Sequence, residues 1–457
     1  MSVPAFAQQS GKPNVIFVFA DQWRGQDVGY AGNPDVMTPN IDKLASESVV
    51  FENAVSNMPV STPYRASMLT GQYALSHGLF LNDVTLDPDI ESIGKVYKRS
   101  GYNTAYIGKW HVNGNGRSNY IPESHRQGFD FYQVLECTHD YMRSAYYDNN
   151  DTKKKIWEGY DAIAQTKAAG DYIASHAGDD KPFVLFLSWG PPHNPYRQVP
   201  REYLDIYEDK DISLRPNVPE GKRQEAIHDL KGYYANITAL DDCVGMLTDV
   251  IEKAGIEDNT IFVLTSDHGD MLYSQGETRK QRPYDESIMV PFILRYPRLF
   301  GERGKKSDVM FSTVDIMPTL LGMSGVPVPS TVQGDDLTPV LTGKKKDRTD
   351  AALIECVTPF GEWEKRSGGR EYRGLRTRRY TYVRTLEGPW LLYDNEKDPY
   401  QMNNLVESEE YAKVRRKLDK TLQKKLKERN DDFLPGSEYI RQWGYKVNGH
   451  GTVEYEP

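Results

Sequence analysis

Ser61 and Arg65 lie one helical turn apart in Ser61-Thr62-Pro63-Tyr64-Arg65-Ala66-Ser67-Met68-Leu69-Thr70-Gly71. Pro63, followed by Ala66 to Leu69, predicts a helix N-terminus. Free backbone N–H groups and the helix dipole favour an anion there, so Ser61 can sit in an anion site with Arg65 facing the same spot. Simple capping of the helix by Ser61 or Thr62 is the competing reading of this segment alone. Lys109 and His111 stand two residues apart at the end of an apolar run, so they share a face. Asp21, Asp267-His268 and His193 also sit just beyond apolar runs.

Something must bring these residues together. Val15 to Ala20, Thr104 to Trp110, Phe183 to Trp189 and Ile261 to Ser266 are short, continuously apolar runs, which suit strands of a sheet buried on both faces. Helical patterns separate them, as in Pro39 to Ser48, Gln224 to Ala254 and Val314 to Met323. This alternation predicts an α/β sheet with a substantial parallel component. Ligands of open α/β sheets bind beyond the carboxyl ends of the strands. Four polar clusters at four such ends therefore predict one shared site.

The bulk properties narrow the class. The 457 residues allow a large core and more than one domain, and 38% hydrophobic with 26% charged residues is an ordinary globular balance. A net charge of −9 argues against a nucleic-acid binder. No apolar run reaches the ~18 residues of a membrane span. The 30 tyrosines offer weak support for sugar binding. Cys137, Cys243 and Cys356 form no metal-binding spacing and read as buried free thiols. Ala5-Phe6-Ala7 resembles the end of a clipped signal peptide, so residues 1–7 read as its remnant or a tag, and the protein as periplasmic or secreted. A small-residue tail is the competing reading.

Taken together the motifs resemble the formylglycine-dependent sulfatases of the alkaline phosphatase superfamily. Ser61-x-Pro63-x-Arg65 with Thr70-Gly71 resembles the sulfatase signature in its serine-type form, and Gly108-Lys109-Trp110-His111 matches a second family motif. Pro39-Asn40-Ile41-Asp42-Lys43-Leu44-Ala45 is also typical. The resemblance implies that a maturase oxidises Ser61 to formylglycine. One hydroxyl of the hydrated aldehyde attacks sulfur and the other later expels sulfate. It implies a divalent cation, usually calcium, held beside position 61 by Asp21, Gln22, Asp267 and His268, with the Ser61 side chain as a further ligand. The family usually has Asp where Gln22 stands and often Asn at His268, a residue that suits manganese better. Arg65, Lys109 and Lys280 would hold the sulfate, with Arg279 and Arg282 competing for the last role. His111 would orient and deprotonate the nucleophile, and His193 would protonate the leaving oxygen.

The implied fold is a doubly wound mixed sheet (residues 8–345) with a smaller C-terminal α+β subdomain (346–457). Leu375 to Val383 and Pro389 to Tyr393 supply its strand-like pieces, and Glu409 to Lys427 its helix. Leu391-Leu392-Tyr393-Asp394, Asp398-Pro399 and Asn404-Leu405 resemble the family's layout there. The implied substrate is a sulfated carbohydrate. His77, His139, Tyr196, Arg197, Trp363, Arg366 and Arg370 are candidate sugar contacts, each with an ordinary packing or surface role as its rival. Two other functions compete. Asp21-Gln22-Trp23-Arg24 with Asp267-His268 also fits phosphonate monoester and phosphodiester hydrolases of this fold. An unmodified Ser61 would leave a sulfated-glycan binder. The sequence is silent on oligomeric state.

Overall fold

The computed structural model describes residues 11–455; residues 1–7, read from the sequence as a signal-peptide remnant or a tag, lie outside them. Ten strands form the large sheet: β1 (Asn14–Asp21), β2 (Val49–Val55), β3 (Asn103–Lys109), β4 (Phe131–Leu135), β5 (Ala145–Asp148), β6 (Asp151–Ile156), β7 (Phe183–Pro192), β8 (Thr260–Ser266), β9 (Phe292–Arg295) and β10 (Lys305–Ser312). Their order is β10-β2-β9-β8-β1-β7-β3-β4-β5-β6. The four strands read from the sequence are the contiguous parallel centre, β8-β1-β7-β3. Their carboxyl ends therefore open on one side of the sheet. β9 runs antiparallel to β8 and β2, and β4-β5-β6 end in antiparallel pairs, so the sheet is mixed.

The two-residue period of β1 divides the interior. Val15, Phe17 and Phe19 enter one core with Ala66, Met68 and Leu69 of the Ser61–Thr70 helix. Ile16, Val18 and Ala20 enter the other, against Ile237, Leu240, Val244 and Leu247 of the Arg223–Ala254 helix and Ile173 of the Asp161–His176 helix. Burial on both faces explains why these strands are apolar throughout rather than alternating.

β11 (Ala351–Cys356), β12 (Tyr372–Thr377), β13 (Tyr380–Thr385) and β14 (Gly388–Asp394) form a second, antiparallel sheet. The Leu375 to Val383 piece is two strands, broken at Arg378-Arg379 where the chain reverses. The Ala412–Glu428 helix covers one face of this sheet, placing Leu418, Leu422 and Leu426 on Leu353, Leu375, Tyr382 and Leu392. The other face meets Val55, Ile288 and Met310 of the large sheet's side. Beyond that helix the chain returns to the large core, where Tyr439 is buried and Tyr445, Val447 and Val453 pack alongside. The three cysteines are buried and free. Among the described residues no helix is long and apolar enough to cross a membrane.

Gly108 locks the end of β3 against β7. Its φ is +101°, and a Cβ there would lie 2.0 Å from the carbonyl oxygen of Ser188. Any side chain forces β3 away from β7 just before Lys109. Gly108→Ala is expected to lower the unfolding free energy by about 2 kcal/mol, read as a lower denaturant midpoint at unchanged slope.

Candidate active site

β1 ends in Asp21, which is fully buried, and the chain turns at once through a left-handed Gln22 at φ +67°. β8 delivers Asp267 and His268 beside it, and Asp267 N–H donates to Ala20 O at 3.1 Å. Ser61 opens its helix with every residue of that helix buried. Its Oγ lies 3.0 Å from Asp21 Oδ2, 3.1 Å from Asp267 Oδ2 and 3.5 Å from His268 Nε2.

Two cations balance these carboxylates. Lys109 Nζ is 2.5 Å from Asp21 Oδ2 and 3.5 Å from Ser61 Oγ. Arg65 Nη2 lies 3.4 Å from Asp21 and 3.3 Å from Asp267, while Nη1 donates to Lys109 O and Ser188 Oγ. Burial alone would raise the Asp21 carboxyl, but the ammonium charge of Lys109, with that of Lys280, holds it well below its usual range. Burial also works against the Lys109 ammonium, and Asp21 overcomes it and raises the Lys109 pKa.

Asp21, Asp267 and His268 form a group that could hold a cation. One ligand atom from each lies within 4.8 Å of the others. His268 Nδ1 faces Gly269 O at 2.9 Å, so Nδ1–H donates there and Nε2 keeps its lone pair. Burial lowers the His268 pKa and keeps the ring neutral. That lone pair faces Asp21 Oδ1 and Asp267 Oδ1, each 3.6 Å away, and Asp21 Oδ1 has no hydrogen-bond partner. Three converging acceptors repel one another unless a positive ion sits among them, so the residues fit the group that the sequence implied.

A second chain of contacts adjoins this cluster. Lys280 Nζ donates to Gln22 Oε1 at 3.1 Å and to His193 Nε2 at 2.8 Å. His193 Nδ1 lies 2.7 Å from Asn194 O. Burial, then the Lys280 charge, holds the His193 pKa well below its ordinary value. His111 has φ +58°, and its backbone oxygen accepts from Thr62 Oγ1 at 2.8 Å. His111 Nε2 is 3.4 Å from Asp83 Oδ1, and Nδ1 has no partner. Burial pushes this ring down to about 3. Arg117 grips Asp83 through two contacts of 2.8 Å.

Lys109, His111, His193 and Lys280 face a cavity of about 390 Å³. A larger one, about 630 Å³, lies near the small sheet and holds none of these residues. Of the seven candidate sugar contacts, only His139 lines the active-site cavity, its ring stacked on His193 at 4.6 Å. Tyr196 is buried below, donating to Asp270 Oδ2. His77 is buried elsewhere, 3.0 Å from Ser67 Oγ. Trp363 is buried under Arg282, and Arg197 pairs with Glu208 at a separate groove. Arg370 stacks on Trp390, and Arg366 is exposed on the Lys365–Ser367 turn. Five of these six residues pack, stack or ion-pair locally instead of turning inward, and Arg366 is exposed. Arg279 contacts Tyr196 and Arg282 pairs with Glu277, which leaves Lys280 at His193.

Sequence reasoning missed Asp83, Arg117, Asp270, Thr452 and Tyr455. Thr452 and Tyr455 wall the cavity, and Tyr455 lies over the Arg117 guanidinium at 3.7 Å. Nothing local in the tail sequence signals this. Asp270 did have a signal, since it closes the Asp267-His268-Gly269-Asp270 run.

The family model described as Sulfatase matches residues 13–326, and the one described as N-sulphoglucosamine sulphohydrolase, C-terminal, matches 276–428. An ulvan-active sulfatase of Formosa agariphila is 41% identical over 95% of this chain and 85% of its own. An endo-4-O-sulfatase of Bacteroides thetaiotaomicron is 31% identical, over 93% and 94%. The solved structure of the yidJ protein of Bacteroides fragilis superposes with a TM-score of 0.86 at 30% identity, covering 96% of this chain and all of that one. With the family model covering most of its length, the chain belongs to the sulfatases and is a sulfuric ester hydrolase of alkaline-phosphatase-like fold.

Proposed function

We propose that the protein hydrolyses sulfate monoesters on a glycan, with Ser61 as the precursor of its nucleophile. The observation that carries this is the place of Ser61 Oγ, at a buried helix N-terminus between two carboxylates and Lys109. The glycan rests on the relatives, named for ulvan and for an endo-4-O-sulfate. Oxidised to formylglycine by a maturase and hydrated, the side chain would supply one hydroxyl to attack sulfur and another to release sulfate. Asp21, Gln22, Asp267 and His268 would hold a divalent cation, calcium or manganese, whose charge stabilises that hydroxyl's anion. Export to the periplasm or medium, suggested by Ala5-Phe6-Ala7, suits a polymeric substrate.

The remaining residues have separate tasks. Arg65 orients both carboxylates and, with Lys109 and Lys280, offsets charge spread over the sulfuryl oxygens. Asp83 accepts from His111 Nε2–H, which leaves the Nδ1 lone pair to take the proton of the attacking hydroxyl. A sulfate seated against Lys280 adds negative charge beside His193. That charge raises the ring's proton affinity, so Nε2 takes up a proton from solvent and then delivers it to the leaving alcohol oxygen.

The peptide carrying Ser61, from protein made beside a maturase, is expected to weigh two hydrogens less than the unmodified peptide. An unaltered serine would overturn the covalent reading and favour the glycan binder. His193→Ala is expected to lower kcat about a hundredfold on a sugar sulfate while ligand affinity persists. Chelation is expected to lower the Tm, as Asp21 and Asp267 lose their counter-ion, and added calcium to restore it. A Tm indifferent to both treatments removes the cation from the mechanism.

A further inference from the structure

The Ala412–Glu428 helix runs against the charge of the chain that carries it. Its 17 residues include eight Lys or Arg and two acids, in a protein of net charge −9. These cations are ordered. Leu418, Leu422 and Leu426 face the small sheet. Lys413, Lys417, Lys420, Lys424 and Lys427, alternately four and three residues apart, form one exposed stripe on the opposite side, with Arg416 beside it. At 1.5 Å per residue the stripe is about 21 Å long, with a cation every ~5 Å.

This arrangement costs the helix stability. Residues four apart are neighbours, so Lys413 with Lys417, Arg416 with Lys420 and Lys420 with Lys424 set like charges together. Lys413 lies in the first turn, where the helix dipole disfavours a cation. The two acids bring little relief. Asp419 turns to Arg384 and Tyr382 of β13, and Glu428 reaches Lys424 at 3.7 Å. The other ion pairs of the helix are Arg415 with Glu407 and Lys425 with Asp350. Among the described residues, Lys413, Arg416, Lys417, Lys420 and Lys427 therefore have no carboxylate partner. A surface that had only to be soluble would intersperse both signs.

We infer that this stripe is a second binding site, separate from the catalytic cavity, and that its ligand is an anionic polysaccharide lying along the helix. The inference rests on the reading above in which the substrate is a sulfated glycan. A cation every ~5 Å matches the repeat of an extended pyranose chain, and ammonium groups on flexible stems adapt to sulfates at uneven positions. A membrane surface fits less well. A helix lying in a bilayer interface buries an apolar face there, and in this helix the small sheet already covers that face. Single-stranded nucleic acid is held by stacking on aromatic rings, and the exposed side of the helix carries none. The groove of about 630 Å³ beside the helix is not the site. Lys425 and Arg429 reach it, but Asp315, Asp335, Asp336 and Asp350 line it as well.

The test is the affinity of the full chain for dextran sulfate over a series of salt concentrations, with inorganic sulfate present throughout to compete at the catalytic cavity. Two variants of equal net charge are compared. Lys413→Gln, Lys417→Gln, Lys420→Gln and Lys424→Gln together neutralise most of the stripe, and Gln forms helix about as well as Lys. Lys153→Gln, Lys154→Gln, Lys167→Gln and Lys181→Gln together remove four exposed lysines elsewhere. The stripe variant is expected to bind at least about tenfold more weakly, and its slope of log affinity against log salt to be shallower by about three, because four fewer counterions are released. The control variant, whose lost charges are screened from the bound chain, is expected to stay within about threefold of the parent. Inorganic sulfate measured alone is expected to bind all three proteins alike. Parent-like binding by the stripe variant, an equal loss in both variants, or a parent that takes uncharged dextran as readily overturns the proposal. So does tighter binding of the parent to phosphatidylglycerol vesicles or to DNA that is lost in the stripe variant, which would assign the stripe to a membrane or a nucleic acid. Loss of inorganic sulfate binding in the stripe variant would place the stripe in the catalytic site and overturn the proposal equally. The sulfatase reading is judged separately, by the mass of the Ser61 peptide and by turnover of a sugar sulfate, and it stands if only the stripe fails.

Discussion

Asp21 and Asp267 are buried side by side, and the molecule is arranged to make that tolerable. Ion pairs at this depth forfeit much solvation, and removing one partner costs about 3–5 kcal/mol because the other is left uncompensated. Arg65 answers both carboxylates at once, Lys109 answers Asp21, and the opening of the Ser61–Thr70 helix points toward them. Each compensating group comes from a different element. β1, β3, β8 and the helix must therefore be in place together before any of these charges is stable. Fold and site are held by the same contacts.

This coupling explains how much was legible in the sequence. β1, β3, β7 and β8 are apolar on both faces because two cores flank them, so they stood out as runs rather than alternations. Residues fixed to their ends inherited that clarity, and Asp21, Lys109, His111, His193, Asp267 and His268 gather as the motifs implied. Exposed and very short strands were harder. β6 is largely exposed, β9 is four residues long, and neither has a pattern that separates it from a loop. The turn at Arg378-Arg379 lacks glycine and proline, so β12 and β13 merged into one piece.

The cavity wall was legible only in part, for a different reason. A residue's type does not say which way its loop turns. Arg197, Trp363 and Arg370 found partners nearby, in Glu208, Arg282 and Trp390, and those local contacts draw them away from the cavity. Thr452 and Tyr455 reach the cavity because Tyr439, Tyr445 and Val453 anchor the returning tail to the large core. That anchoring is a tertiary fact with no periodic signature. Left-handed Gln22 and His111 are similar, being strained turns that non-glycine residues adopt only where surrounding contacts enforce them.

Ser61 is 1% exposed. If its side chain must be oxidised by another enzyme, that enzyme cannot reach it in the finished molecule, and the order of events is set by burial. Oxidation has to happen while the chain is still open, and folding then closes the window. A chain that folds too early is sealed in its unoxidised form. The active fraction of a preparation would thus record a race between two rates during biosynthesis. Slower folding could raise the yield of competent enzyme, and later treatment of the folded protein could not.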